Sequence, residues 1–310
     1  MRNDKIFKTL DEQIEILESK GLIINDLEKC KMILFRENYF FISGYRHLFM
    51  TSIKDNHFVE GATFDELYAM FSFDRTIRNI FFKWILVVEN NFKSITSYVL
   101  SKKYGFKDKD YLNPKNFTQD SMKTRQVRDI LNKMRRQIRV NGKEHSATLH
   151  YMDNYGYIPL WILVKVLSFG IMSEFYSILK NEDQSTIANV YDIDIDSLSQ
   201  YLSIVANYRN ICAHEEVLYN HRTQKVIRNN KYHYELDIKN VDGEYVYGKN
   251  DLFSLVIILK TLLVKEDFTD LINEISYEVD RLSGQIHSVD IKKILNNCGF
   301  PDNWEDIAKI

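Results

Sequence analysis

The sequence predicts an all-α protein: a helical bundle with extra helices at both ends and one small β-hairpin inserted among them. Three observations carry that expectation. Only three prolines and 11 glycines punctuate 310 residues, which favours long uninterrupted segments over a mesh of short strands. The stretch from 63 to 104 contains neither of these breakers. Several segments repeat apolar residues at steps of three and four, each behind a side chain able to cap a first helical turn.

Taken in order, Thr9 with Glu12, Asn25 with Glu28, and Thr63 with Glu66 have capping-box spacing or its Asn analogue. Leu10, Ile14 and Leu17 predict a first helix stopped near Gly21, and a second is expected from about Asp26 to Glu37. The aromatic segment NYFFISGYRHLF follows, hinged near Gly44. Residues 63–104 predict one very long helix or two in close succession, apolar on more than one stripe and so covered on more than one side. A basic helix is expected from about Asp120 to Arg139. Another should start at Pro159 and run to about Lys180, and a further one from about Ile195 to Tyr219. YHYELDI then alternates and NVDGEYVYG offers an Asp-Gly turn, the clearest hairpin signal in the chain; the tail from Asp251 is helical again. This organisation divides into 1–60, 61–222 and 223–310.

A 45% apolar share is enough for a sizeable core. Cys30, Cys212 and Cys298 are odd in number and show no C-x-x-C spacing, which argues against a disulfide framework and a cysteine zinc site and fits a reducing cytoplasm. The opening MRNDKIFKTLDEQ has charges where a signal peptide needs its apolar centre. The runs IPLWILVKVLSFGIM and LFSLVIILKTLLV are broken by Lys165 and Lys260, so no membrane span is expected.

A formal charge of −2 removes any argument from bulk electrostatics for nucleic acid, but local charge remains. KTRQVRDILNKMRRQIRVNGKE at 123–144 carries eight cations, Lys143 among them, against Asp129 and Glu144. A second basic stretch, HRTQKVIRNNKYH, occupies 221–233.

Several motifs fail on their own chemistry. Asp192, Asp194 and Asp196 imitate a calcium loop, but Ser197 replaces the sharp-turn glycine and Ser203 the closing glutamate. They read as a turn and a helix start. His145 and His150 lack an acidic partner at zincin spacing. G-x-S-x-G, Walker and G-x-G-x-x-G signatures do not occur in the sequence.

The informative stretch is NYRNICAHEE at 207–216. One stripe of its helix runs Leu198, Leu202, Val205, Arg209, Cys212, so Arg209 occupies an apolar slot and must be met by a partner. Asn210 and His214 share a face, and the long Arg209 side chain is able to reach round the axis and join them at the mouth of a cleft. The alternative is structural: Arg209 pairs with a carboxylate such as Asp74 or Glu89, and His214 caps the helix C-terminus.

RNICAH at 209–214 resembles the Arg-x4-6-His signature of the HEPN superfamily. FFISGYRHLF at 40–49, the segment 71–105, PLWILVKVLSFGIMSEFY at 159–176 and RNICAHEEVLYNHR at 209–222 resemble the Abi-like (abortive infection) proteins of bacteria, closest to the AbiD/AbiF group. The resemblance covers about residues 10–222. It implies a HEPN-like helical bundle, a homodimer formed through the motif-bearing helix, and RNA as substrate or as a regulatory noncoding partner. It further implies a phage-defence or toxin-type endoribonuclease, or else a non-catalytic RNA-binding protein. RNA carries its own nucleophile, the 2′-hydroxyl, so no metal or other cofactor is obligatory.

In that frame His214 is the general acid or base, Arg209 binds the scissile phosphate, and Asn210 orients one or the other. Arg75, Arg78 and Lys93 on the long helix, and Arg128, Arg135, Arg136 and Arg139 on the basic helix, are candidate RNA contacts. Asp74 and Glu89 are expected to be structural.

Overall fold

A computed structural model describes residues 6–52, 56–141 and 144–310; the first five residues and Lys143 of the basic run lie outside them. At the N-terminus, α1 (Leu10–Ser19) opens on the expected capping box, with Thr9 and Glu12 each accepting the other's backbone N–H. In α2 (Leu27–Glu37) the cap is Asp26 rather than Asn25, its carboxylate accepting from the Lys29 amide. The one-turn helix α3 (Tyr39–Ser43) follows after Asn38, which holds φ at +67°.

The segment beginning at Thr63 is a single helix, α4 (Phe64–Tyr104), and its length is about 60 Å at 1.5 Å per residue. Around this spine pack α3 and, further along the chain, α5 (Asp108–Tyr111), α8 (Leu160–Leu163), α10 (Asn181–Ala188), α11 (Ile195–Ala213), α13 (Leu252–Leu262) and α14 (Lys265–Ser283). Cover on more than one side explains why apolar residues exceed one stripe of α4, while Asn79, Lys83, Leu86, Asn90, Ser94 and Tyr98 keep one exposed stripe. Its C-terminal end is pinned to α10, where Asp183 accepts from Lys103 Nζ at 2.6 Å and from the Tyr104 hydroxyl at 2.7 Å.

The basic helix is α6 (Thr124–Asn141); it packs on α9 (Phe169–Ser177) through Val127, Ile130, Leu131 and Met134. After α7 (Ser146–Tyr155), the helix expected over 159–180 is two helices, α8 and α9. Leu167 is extended and Ser168 caps α9 by accepting from the Ile171 amide, so a side-chain acceptor inside an apolar run outweighs the run's continuity.

The helix expected over 195–219 ends at Ala213. Glu215 turns the chain with φ +54°, and the buried Leu218 and Tyr219 belong to the return segment that follows, not to the helix. Asp194 caps its start, accepting from the Ser197 amide at 2.9 Å. The hairpin is smaller than expected. Only Asn240–Val241 (β1) and Glu244–Tyr245 (β2) pair, across the Asp242-Gly243 turn. YHYEL forms α12 (Lys231–Glu235) instead. Its buried Tyr232, His233 and Leu236 also fit helical spacing, and Asn230 caps the first turn. His233 accepts from the Asn230 amide and donates to the Gly248 carbonyl, and burial lowers its pKa.

One apolar core runs from Ile14 to Ile307, with α13 buried at every position from Leu252 to Leu259. That accounts for the apolar run in the C-terminal region; among the described residues no helix is long and apolar enough to cross a membrane. The C-terminal helices, including α15 (Ile291–Cys298), are tied to the rest by backbone contacts. Glu66 accepts from the His287 and Ser288 amides at 2.6 and 2.7 Å, and Arg222 donates to the Asn297 carbonyl.

The central polar contact is the Asp74 carboxylate on α4. It accepts from the Tyr45 hydroxyl (2.7 Å), Arg78 Nη1 (2.9 Å) and the Leu218 and Tyr219 amides (3.1 and 2.7 Å). Burial pushes the Asp74 carboxyl up while these four donors pull it down. Asp74→Ala leaves the Arg78 guanidinium buried without its carboxylate, and the expected loss is about 3–5 kcal/mol of unfolding free energy in a urea titration.

Candidate functional site

The chain reversal after α11 builds a cleft of about 830 Å³ between α2, α3, the first part of α4 and the segment 213–217. Four arginines, Arg36, Arg46, Arg75 and Arg78, line it together with His214, against only Glu37 and Glu215. His214 is the C-cap residue of α11: its backbone N–H donates to the Asn210 carbonyl at 2.9 Å, and its side chain is exposed in the cleft.

The arginines differ in how far their charge is already engaged. Arg78 is buried, donating to Asp74 and to the Glu216 carbonyl at 2.9 Å. Arg75 forms a bidentate pair with Glu37, which holds the Glu37 carboxyl below its ordinary value, and stacks 4.5 Å above the Phe71 ring centroid. Arg46 donates to the Ser43 carbonyl at 3.2 Å, and its Nε is buried with no hydrogen-bond partner. Arg36 is exposed and makes no ion pair among the described residues. Burial together with the Arg46 charge lowers the pKa of the neighbouring Lys20.

The cleft brings His214 together with Arg75 and Arg78, not with Arg209 and Asn210. Arg209 turns to α4, where its Nε lies 3.8 Å from Glu89 Oε2 and its guanidinium 5.7 Å from the Phe82 ring centroid. Glu89 also accepts from the buried Lys93 at 2.6 Å. This is the carboxylate partner that an arginine in an apolar slot requires. Asn210 is exposed on α11 outside the cleft.

The other candidates divide by burial. Lys93 and Arg78 are buried in ion pairs on α4, and so do not present a free charge to a phosphate backbone; the cost of desolvating them alone is why they are paired. Arg128, Arg135, Arg136 and Arg139 are exposed on α6, with Arg135 also donating to the Leu112 carbonyl at 3.1 Å. They stand apart from the cleft. Lys123, just before α6, lines a depression with Asp194 at the start of α11, whereas His214 stands at the other end, about 28 Å away along the 19 residues of α11.

Sequence reasoning missed Arg36, Arg46 and three rim phenylalanines, Phe35, Phe40 and Phe41. A signal existed in NYFFISGYRHLF: the four successive apolar residues Tyr39 to Ile42 exceed what one helical turn can bury, and Ile42 takes the buried position while Phe40 and Phe41 stay exposed. Among the described residues no group of three or more His, Cys, Asp or Glu side chains could hold a metal ion. The three cysteines are buried and unpaired, and burial pushes the Cys30 and Cys212 thiols up to about 12.

Fold and site define an all-α protein with a cationic cleft at the C-terminal end of its motif helix. The model of the Abi-like protein family matches residues 32–220, more than half of the 310-residue chain, and the chain belongs to that family. Family membership associates it with abortive infection, a form of phage defence. Neither the curated proteins nor the solved structures contain a match.

Removing Glu89 should expose how the Arg209 contact works. Glu89→Ala strands the buried Lys93 ammonium and is expected to cost about 3–5 kcal/mol, whereas Arg209→Ala, at a side chain one-third exposed, costs about 1 kcal/mol or less. Urea midpoints of the two variants measure the difference, and equal losses would make Arg209 the principal partner.

Proposed function

We propose that this chain is an RNA-binding protein of phage defence or of toxin type, and that the His214 cleft cleaves RNA by attack of its own 2′-hydroxyl. The observation that carries the reading is one exposed imidazole at a helix C-terminus, facing a cleft with an excess of arginine. In the reaction His214 takes the 2′-hydroxyl proton, and the 2′-oxygen bonds to phosphorus. The bond to the 5′-oxygen breaks, and that oxygen leaves with a proton. The products are a 2′,3′-cyclic phosphate end and a 5′-hydroxyl end. Arg46 and Arg75 stabilise the crowded phosphate, with Arg75 exchanging Glu37 for phosphate oxygens in the same bidentate geometry.

A homodimer formed through α11 completes this scheme. The second copy supplies the group that protonates the leaving oxygen, and Arg209 and Asn210, which lie on α11 outside the cleft, reach the phosphate from the partner's side. This is the arrangement of the HEPN ribonucleases that the Arg-x4-His spacing resembles.

A second reading is favoured by one specific observation: Arg209 is engaged with Glu89 rather than with His214. On that reading the cleft grips RNA without cutting it, and the protein forms a ribonucleoprotein with a small regulatory noncoding RNA.

Acid–base catalysis contributes about 10²–10⁴-fold in rate, so His214→Ala is expected to abolish detectable cleavage while leaving the melting temperature unchanged, because the truncated side chain is exposed. Mapping cellular RNA ends after expression of wild type and variant tests this. New ends made equally by both would remove His214 from the chemistry; a co-purified RNA with no new ends from either would favour the binding reading.

For the basic helix, replacing Arg128, Arg135, Arg136 and Arg139 by Gln should flatten the dependence of log affinity on log salt by about 0.7 for each phosphate that the helix no longer neutralises. An unchanged slope would return α6 to ordinary surface.

A further inference from the structure

We infer that the phenylalanines on the rim of the His214 cleft form a stacking platform for unpaired bases, so that the cleft selects single-stranded over duplex RNA. The inference rests on the RNA reading of the cleft and specifies which form of RNA it takes. Phe35, Phe40 and Phe41 are 79%, 74% and 56% exposed, although each ring carries enough apolar area to belong in a core. All three line the same cleft as the arginines. Phe40 and Phe41 meet edge to face, with ring centroids 6.0 Å apart and planes at 68°, which leaves ring faces open to the cleft mouth.

Exposed rings beside Arg36 and Arg46, which make no ion pair among the described residues, match a ligand that is flat and apolar on one side and anionic on the other. An unpaired nucleotide is such a ligand. Its base stacks on the ring while its phosphate meets Arg36 or Arg46, and the cleft cations are all arginine or histidine, whose planar groups also stack on bases. In duplex RNA the base faces are occupied by neighbouring bases, so the rings would find nothing to stack on.

A second copy seated on the rim phenylalanines themselves, rather than along the outer face of α11, is the competing occupant, and charge argues against it. A two-fold contact on this patch places the same arginines opposite themselves, which leaves Glu37 and Glu215 as the only acids to offset them.

The test uses the full chain and a fluorescein-labelled 12-nucleotide oligouridylate, the same strand annealed to its complement, and a ribose-phosphate strand lacking bases. Wild type is expected to bind the single strand at least tenfold more tightly than either the duplex or the base-free strand. The double variant Phe40→Ala/Phe41→Ala should lose about tenfold or more of the single-strand affinity, with its salt dependence unchanged. F40W supplies a spectroscopic readout: its tryptophan fluorescence is quenched by oligouridylate and not by the base-free strand. Binding by wild type that survives intact in the double alanine variant, or unquenched F40W in a complex that does form, overturns the platform while leaving the RNA reading standing. Failure of wild type to bind any of the three strands overturns both. Sedimentation showing a wild-type dimer that the double variant converts to monomer assigns the patch to a second copy, and also overturns the inference. Loss of cleavage without loss of binding in His214→Ala leaves the platform supported, because the rings act before the chemistry.

Discussion

The Asp74 carboxylate is the contact on which the rest of the site depends. Its four donors come from three parts of the chain: Tyr45 after α3, Arg78 one turn further along α4, and Leu218 and Tyr219 after α11. These are the segments that bound the cleft. A backbone reversal that has left its helix carries free amides, and burying them requires an acceptor. Asp74 is that acceptor for two of them, while Arg78 meets the Glu216 carbonyl from the same side. The ion pair therefore decides where the chain goes after His214, and so which side chains the imidazole faces. A buried ion pair of this kind is weak evidence for net stability. Its physical contribution here is to position.

Arg209 and His214 divide the same helix between two tasks. The apolar stripe on α11 obliges Arg209 to lie against α4, and Glu89 answers it there, already holding Lys93. His214 stands past the last helical residue, where the stripe no longer constrains it. Within one chain, five residues of separation thus place one polar side chain of the motif in packing and the other in solvent. The motif's arginine is only one-third exposed and turned to α4, while Asn210 next to it in sequence is exposed. Any phosphate touched by both members of the motif would need to span two faces of a helix, which is why pairing of copies enters the proposal at all.

Local rules made much of the fold legible. The capping boxes at Thr9 and Thr63 were readable because both partners lie within three residues, and α4 because nothing in its sequence interrupts it. The misplaced boundaries have a common cause. Leu167, Leu218 and Tyr219 are apolar because they are core, and an apolar residue continues a helical period whether or not its backbone is helical. Ser168 and Glu215 mark the true ends, one by a cap and the other by a left-handed turn, and neither signal is strong in sequence. YHYEL misled for the converse reason, since residues buried at 232, 233 and 236 satisfy an alternating reading and a helical one. The structural alternative for Arg209 was readable as a pairing with Asp74 or Glu89. The cleft itself was not readable, because Arg36, Arg46, Arg75 and His214 are brought together only by long-range folding.

Formal charge is a poor guide to what such a molecule presents to a ligand. Among the described residues six acids are buried, Glu66, Asp74, Glu89, Asp183, Asp251 and Glu278, but only three cations, Arg78, Lys93 and Lys249. Acids are suited to that interior position because a carboxylate accepts several backbone N–H groups at chain reversals, as Asp74 and Glu66 do, whereas an arginine can only donate. Folding therefore withdraws more negative than positive charge from solvent, and the surface is less acidic than a net charge of −2 implies. Part of what remains lies on the outer face of α6 and part in the His214 cleft. Net charge therefore says little about the arginine-rich lining of the cleft, which only long-range folding assembles.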